Sequence, residues 1–245
     1  MNIEKYLQQK LPVKLRKTIR NFIQDVRAIG HGNNLDKLAQ IYGTDKWGRH
    51  YYTPHYGTHF KDFKYQKINI LEIGVGGYDN PYSGGRSLRM WKKYFPYGKV
   101  FSLDIVDKLF LQEKRIKIFK GSQVDKAFLM DVVSKIGQLD LIIDDGSHIN
   151  EHVIETFNIL FPVLKNGGIY VIEDTQTSYW ADYGGDNSDL NNPKTMMHFF
   201  KKLTDGINYQ EYKLAGYQPS YFDQNILSIH FYRNIIFIHK GQNKD

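Results

Sequence analysis

From residue 68 onward the chain alternates short apolar runs, most ending in glycine or acid, with stretches of helical periodicity, and no other feature constrains the fold as tightly. Residues 68–75, 100–106, 116–120, 139–143 and 169–172 read as buried strands. Residues 87–95, 125–136 and 149–164 read as the helices between them, with Asp125 as an acidic opening signal and Pro162 distorting the last turn of the third. Apolar strands separated by helices imply a parallel sheet with helices on both faces, because parallel neighbours need long crossover connections. Residues 226–232 and 235–239, joined by Arg233-Asn234, predict a hairpin. The expected architecture is α/β and Rossmann-like, a mostly parallel sheet of seven strands with a C-terminal antiparallel hairpin. The polar stretch 181–193 is the one long loop candidate, and long loops in compact domains are usually functional or disordered.

A chain of 245 residues suits one such domain, 35–245, preceded by a basic helical segment, 1–34. Within that segment residues 11–29 have amphipathic spacing: Leu15, Ile19, Phe22, Ile23 and Val26 share a face, and Lys14, Arg16, Lys17, Arg20 and Arg27 supply the charge. The expectation is a helix packed on its own domain or on a second copy of the chain in a homo-oligomer. Contact with an anionic membrane surface is the less favoured alternative. The chain contains no Cys, so disulfides and thiolate metal sites are excluded, and any metal must use carboxylate, imidazole or carbonyl ligands. Lack of Cys, of an apolar run long enough to span a bilayer and of a secretory pattern leads to the expectation of a cytoplasmic protein. The net charge of +7 is too modest to argue for nucleic acid as a partner.

Two strand ends carry the chemistry. Ile70-Leu-Glu-Ile-Gly-Val-Gly-Gly77 runs from a strand into glycines, at the end of the sheet where doubly wound folds bind ligands. Gly74, Gly76 and Gly77 permit a tight turn and close approach of backbone to ligand. Glu72 would face phosphate in a dinucleotide site, a poor match, but suits the cationic amino-acid group of S-adenosylmethionine. Asp104 ends the next strand, 32 positions later, where an acid can accept hydrogen bonds from both ribose hydroxyls.

Leu141-Ile-Ile-Asp-Asp-Gly-Ser-His148 and Ile169-Tyr-Val-Ile-Glu-Asp174 are adjacent strands ending in paired acids. Asp145, Glu173 and Asp174 therefore converge on one rim. Three carboxylates make a hard oxygen site suited to Mg²⁺ or Mn²⁺ rather than zinc. His148, three positions past Asp145, is the candidate general base, since imidazole exchanges protons near neutral pH.

The second motif, with Leu160-Phe-Pro-Val-Leu, Gly167-Gly-Ile-Tyr-Val-Ile-Glu-Asp174 and Gln176-Thr-Ser-Tyr-Trp180, resembles the macrolide-type sugar O-methyltransferases and the related rhamnosyl enzymes. The upstream blocks Tyr42-Gly-Thr-Asp-Lys-Trp47 and Tyr52-Thr-Pro-His-Tyr56 resemble the same family. The resemblance implies a class I methyltransferase fold binding S-adenosylmethionine and Mg²⁺. It implies Asp145, Glu173 and Asp174 as metal ligands and His148 as base. It implies cofactor contacts at Glu72, Gly74, Gly76, Gly77, Ser87, Asp104, Ser122 and Gln123, with Asp145 at the seam between cofactor and metal. The acceptor it implies is a sugar with vicinal hydroxyls on a natural product or glycan. A catechol-type aromatic diol is the alternative, since it would satisfy the same metal chemistry.

Overall fold

The computed structural model describes residues 11–244 of the chain, so the first ten positions of the predicted N-terminal segment lie outside the described residues. Seven strands form one sheet: β1 (Asn69–Ile73), β2 (Lys99–Asp104), β3 (Ile116–Lys120), β4 (Leu139–Asp144), β5 (Leu164–Glu173), β6 (Ile226–Tyr232) and β7 (Ile235–Lys240). Their spatial order is β3-β2-β1-β4-β5-β7-β6. The first five pair in parallel, and β7 runs antiparallel to both β5 and β6. The topology reverses between β1 and β4, the switch point at which such sheets hold ligands.

Eight α-helices occur among the described residues: α1 (Val13–Arg27), α2 (Leu35–Tyr42), α3 (Thr53–Phe60), α4 (Arg86–Tyr94), α5 (Lys126–Ile136), α6 (Asn150–Leu160), α7 (Met196–Gly206) and α8 (Tyr221–Asn225). Alternate residues of each strand feed two cores. Ile70, Leu141, Ile143, Val171 and Phe237 pack with α2, α3 and α4, while Leu71, Ile142, Tyr170 and Ile172 pack with α5, α6 and α7. Helices thus cover both faces, as the strand pattern requires.

Two expectations need correction. The third predicted helix stops at Leu160, before Pro162, because proline has no N–H to give and crowds the preceding turn. Strand β5 begins at Leu164 and carries a bulge: Leu139 pairs with Leu164 but Leu141 with Ile169. A Cβ on Gly168 would lie 2.8 Å from the Asp140 carbonyl oxygen, which is why glycine stands there. Helices α2 and α3 are absent from the sequence-based expectation. Helix α2 is bounded by Asn34, whose side chain accepts from the Lys37 N–H, and by Gly43 at φ 73°.

Helix α1 packs on its own domain by its polar face. Arg89 of α4 donates to Asn21, Gln24 and Asp25, Tyr42 donates to Asp25, and Lys17 donates to the Phe110 carbonyl. The apolar stripe faces outward instead, with Phe22 and Ile29 each 69% exposed and Leu15, Ile19 and Val26 also exposed. No helix among the described residues is long and apolar enough to cross a membrane.

Candidate active site

Sheet register assembles the site. Ile73 lies opposite Leu103 on one side and Asp144 on the other, and Asp144 lies opposite Ile172. The residues that follow these strand ends, Gly74, Asp145 and Glu173, therefore share one rim, and Asp104 flanks them. A Cβ on Gly74 (φ +89°) would sit 2.1 Å from the Asp145 carbonyl oxygen, and one on Gly77 (φ +81°) 2.4 Å from Ser83 backbone. These two glycines are required for the loop to close on its neighbours. Gly76, also at positive φ, meets nothing within 4 Å and leaves the backbone open to a ligand.

Glu72 is completely buried beneath this loop. Neither of its oxygens accepts a hydrogen bond; the Lys46 ammonium stands 3.5 Å away, and Ser87 and Trp91 lie beside it. Burial pushes its carboxyl up to about 7. A buried acid without a hydrogen-bond donor is costly to keep, and its placement invites a cationic ligand group. Asp104 accepts the N–H groups of Val75 (3.0 Å) and Val106 (2.9 Å), so it braces the glycine loop and keeps lone pairs to spare. Ser87 is buried at the start of α4. Ser122 accepts from the Val124 N–H at 3.3 Å. Gln123 is turned inward: its oxygen accepts from the Ser147 N–H at 2.8 Å and its amide donates to Thr156 and Asp144. That side chain clamps the Asp145–Ser147 loop and is already saturated by protein partners.

The acids beside the loop share a resident cation. The Lys46 ammonium, 1% exposed, stands 2.5 Å from Glu173 and 2.8 Å from Asp145. Burial alone would deprotonate it, but the surrounding Asp145, Glu173 and Glu72 hold its pKa well above the ordinary lysine range. Tyr56 also donates to Glu173. Asp174 accepts from Tyr52 at 2.7 Å; although burial opposes it, this bond and the nearby His148 and His50 keep its carboxyl below its usual range. Asp145, His148 and Asp174 bring one donor atom each within 4.8 Å of one another, and the His148 ring is 3.8 Å from Asp145 and 3.7 Å from Asp174. Of the three expected carboxylate ligands, Asp145 and Asp174 face this opening. Glu173 adjoins it but is engaged by Lys46 and Tyr56.

His148 and Asp174 both hold left-handed backbone conformations, φ 56° and φ 54°. Non-glycine residues there carry strain that concentrates at functional sites. His148 lies in the loop just before Asn150, where α6 begins. Its carbonyl accepts from Thr177 at 2.8 Å. Asn150, buried at the start of α6, donates to the carbonyls of Thr177 and Tyr183 and so ties the 181–193 loop to this rim.

Comparison with known proteins bears on this arrangement. No protein-family model matches the chain. Over 214 residues it is 44% identical to mycinamicin VI 2''-O-methyltransferase of Micromonospora griseorubida, covering 86% of this chain and 54% of that protein. It is 42% identical over 225 residues to 8-demethyl-8-alpha-L-rhamnosyl tetracenomycin-C 2'-O-methyltransferase of Streptomyces olivaceus, covering 90% of this chain and 59% of that protein. The solved structure of a methyltransferase from the mycinamycin biosynthetic pathway, in complex with Mg and SAH, superposes with a TM-score of 0.84 at 45% identity, covering 86% of this chain and 55% of that one. The chain is a homologue of the sugar O-methyltransferases. It spans about half the length of the curated relatives it matches, and its sheet is the Rossmann-like methyltransferase sheet.

In this methyltransferase homologue, Lys46, His50, Tyr52 and Tyr56 stand at the site without having been singled out from sequence. All four fall in or between the two upstream blocks that resemble the family. Their density of aromatic and basic residues just before the first strand was the available signal, but only the folded chain brings them to Asp145, Glu173 and Asp174.

Proposed function

We propose that this chain transfers a methyl group from S-adenosylmethionine to a hydroxyl of a sugar, assisted by a divalent cation. The observation that carries the reading is the rim itself: Glu72, Asp145 and Glu173 surround a single ammonium, Lys46, with Asp174 close by. Acids crowded this closely repel unless further positive charge arrives. A cationic cofactor at Glu72 and a divalent ion at Asp145 and Asp174, with Glu173 adjacent, supply that charge, so the residues fit both groups. Oxygen donors favour Mg²⁺ or Mn²⁺. The relative named above was solved with Mg and SAH.

Gly76 and Asp104 would admit and hold the cofactor's backbone-facing portion, and Glu72 its ammonium. Tyr52 fixes the Asp174 carboxylate, and Lys46 and Tyr56 fix Glu173. A bound divalent ion lowers the pKa of a hydroxyl it touches and orients it. His148, held between Asp145 and Asp174, accepts the hydroxyl proton as the oxygen attacks the methyl carbon in line. The O–C bond forms, the C–S bond breaks and its electron pair stays on sulfur. Trp180, half exposed, and Tyr179 follow the rim and offer aromatic faces to an acceptor.

A sugar acceptor is favoured over a catechol because a relative is named for a rhamnosyl substrate. The test is methyl transfer from labelled cofactor to rhamnosyl and deoxysugar conjugates against catechols. Label appearing in sugar conjugates is the expected result; label in catechols alone would overturn the acceptor class.

The outward stripe of α1 we assign to a second copy of this chain. A contiguous exposed apolar stripe commonly marks a protein contact, and the same stripe on both partners satisfies a two-fold pairing. Ile19→Asp with Phe22→Asp, both on the exposed face, should lower the mass measured by light scattering without lowering the melting temperature. A monomeric wild-type chain would contradict it.

A further inference from the structure

We propose that His59, His230 and His239 form a second metal site that takes a borderline divalent ion such as Zn²⁺. None of the three belongs to the carboxylate rim. His59 lies one turn past Tyr56 on α3, while His230 and His239 project from β6 and β7 on the sheet face that α3 covers; Phe237, two residues before His239, pairs with His230 in register. Among the described residues, only this group and Asp145–His148–Asp174 place three such donor atoms within 4.8 Å of one another.

The geometry around each ring favours ligation. His59 Nδ1 lies 2.8 Å from His239 Nε2, and its Nε2 lies 3.1 Å from the Tyr232 hydroxyl. With the Nε2 proton directed to Tyr232, Nδ1 accepts from His239 Nε2–H, and an arriving ion takes the place of that proton. His230 Nε2 lies 2.9 Å from the Ser228 hydroxyl, an outer partner of the kind that fixes ring orientation at metal sites. Zinc–nitrogen bonds of about 2.0–2.1 Å in tetrahedral geometry need the facing nitrogens to part by about half an ångström. Burial and the neighbouring imidazoles hold His59 down at about 4 and lower His239, so these two rings favour the neutral form that a cation needs.

Three imidazoles without a carboxylate select zinc, copper or nickel over magnesium. His230 and His239 are only partly buried, and β6 is the edge strand, so the ion has a path in and water can complete its shell. The ion would bolt α3 to the terminal hairpin. Phe237 stacks on His59 with centroids 4.3 Å apart and meets Tyr56 edge-on at 5.3 Å, and Tyr56 donates to Glu173. The staple therefore supports one wall of the catalytic rim.

The experiment titrates Zn²⁺ by calorimetry into untagged protein held in saturating Mg²⁺, beside His230→Gln, His239→Gln and His148→Ala. Wild type and His148→Ala should each bind one Zn²⁺ and melt at higher temperature with it. Both glutamine variants should lose Zn²⁺ affinity by more than about 100-fold, since loss of an outer partner alone costs 10–100-fold. They should keep the Mn²⁺ affinity of the rim, which shows that they are folded. Zn²⁺ binding that survives both glutamine variants, vanishes in His148→Ala, or is absent from wild type at millimolar ion would overturn the assignment.

Discussion

Replacing His148 by alanine should lower turnover by about 10²–10⁴-fold, the usual worth of a positioned general base. The ring hangs between Asp145 and Asp174, 3.8 and 3.7 Å away, whereas the other imidazole of the rim, His50, lies beside Asp174. Its backbone is left-handed, and Thr177 holds its carbonyl there. Alanine disfavours that conformation, so part of any loss could come from a shifted loop. His148→Asn separates the two effects, because asparagine tolerates the left-handed region while lacking imidazole's basicity. Both variants should lose turnover to a similar degree and bind S-adenosylmethionine nearly as wild type. The residual rate should climb with pH as hydroxide replaces the missing base. Near-wild-type turnover of His148→Asn at neutral pH would remove His148 from the chemistry. Asp144, fully buried with one oxygen unpartnered and its carboxyl pushed up to about 7 by burial, would then be the next group to test.

The strands were legible because each is an apolar run closed by a residue that cannot continue it, as at Ile73-Gly74 and Asp144-Asp145. Their ends carried the chemistry into view, so Glu72, Asp104, Asp145, Glu173 and Asp174 could be named before any contact was known. Lys46 could not be. It reaches Asp145 and Glu173 across 99 and 127 positions, a pairing that periodicity does not encode. Nor could the polar contacts that dock α1. Arg89 demands polar partners, finds them in Asn21, Gln24 and Asp25, and turns the stripe outward. The loop that carries His148 is held by Gln123 and Thr177, contacts that its spacing from Asp145 does not encode.

Metal dependence carries the largest expected effect. Lys46 supplies one positive charge against Glu72, Asp145 and Glu173, and its chain is fixed by burial at the inner side of the rim. The direct partners of Asp174 are instead Tyr52, His50 and His148. Without a second cation, an acceptor hydroxyl would face Asp145 and Asp174 with nothing to stabilise its developing negative charge, and His148 would have to deprotonate an alcohol of ordinary, very high pKa. Asp174→Asn should therefore weaken Mn²⁺ binding and turnover together. The decisive measurement is methyl transfer to a sugar conjugate in excess EDTA, followed by addition of Mg²⁺ or Mn²⁺. The account predicts turnover at background in the chelator and recovery with either ion, whereas full activity in excess EDTA would contradict metal assistance and reduce Asp145, Glu173 and Asp174 to structural acids.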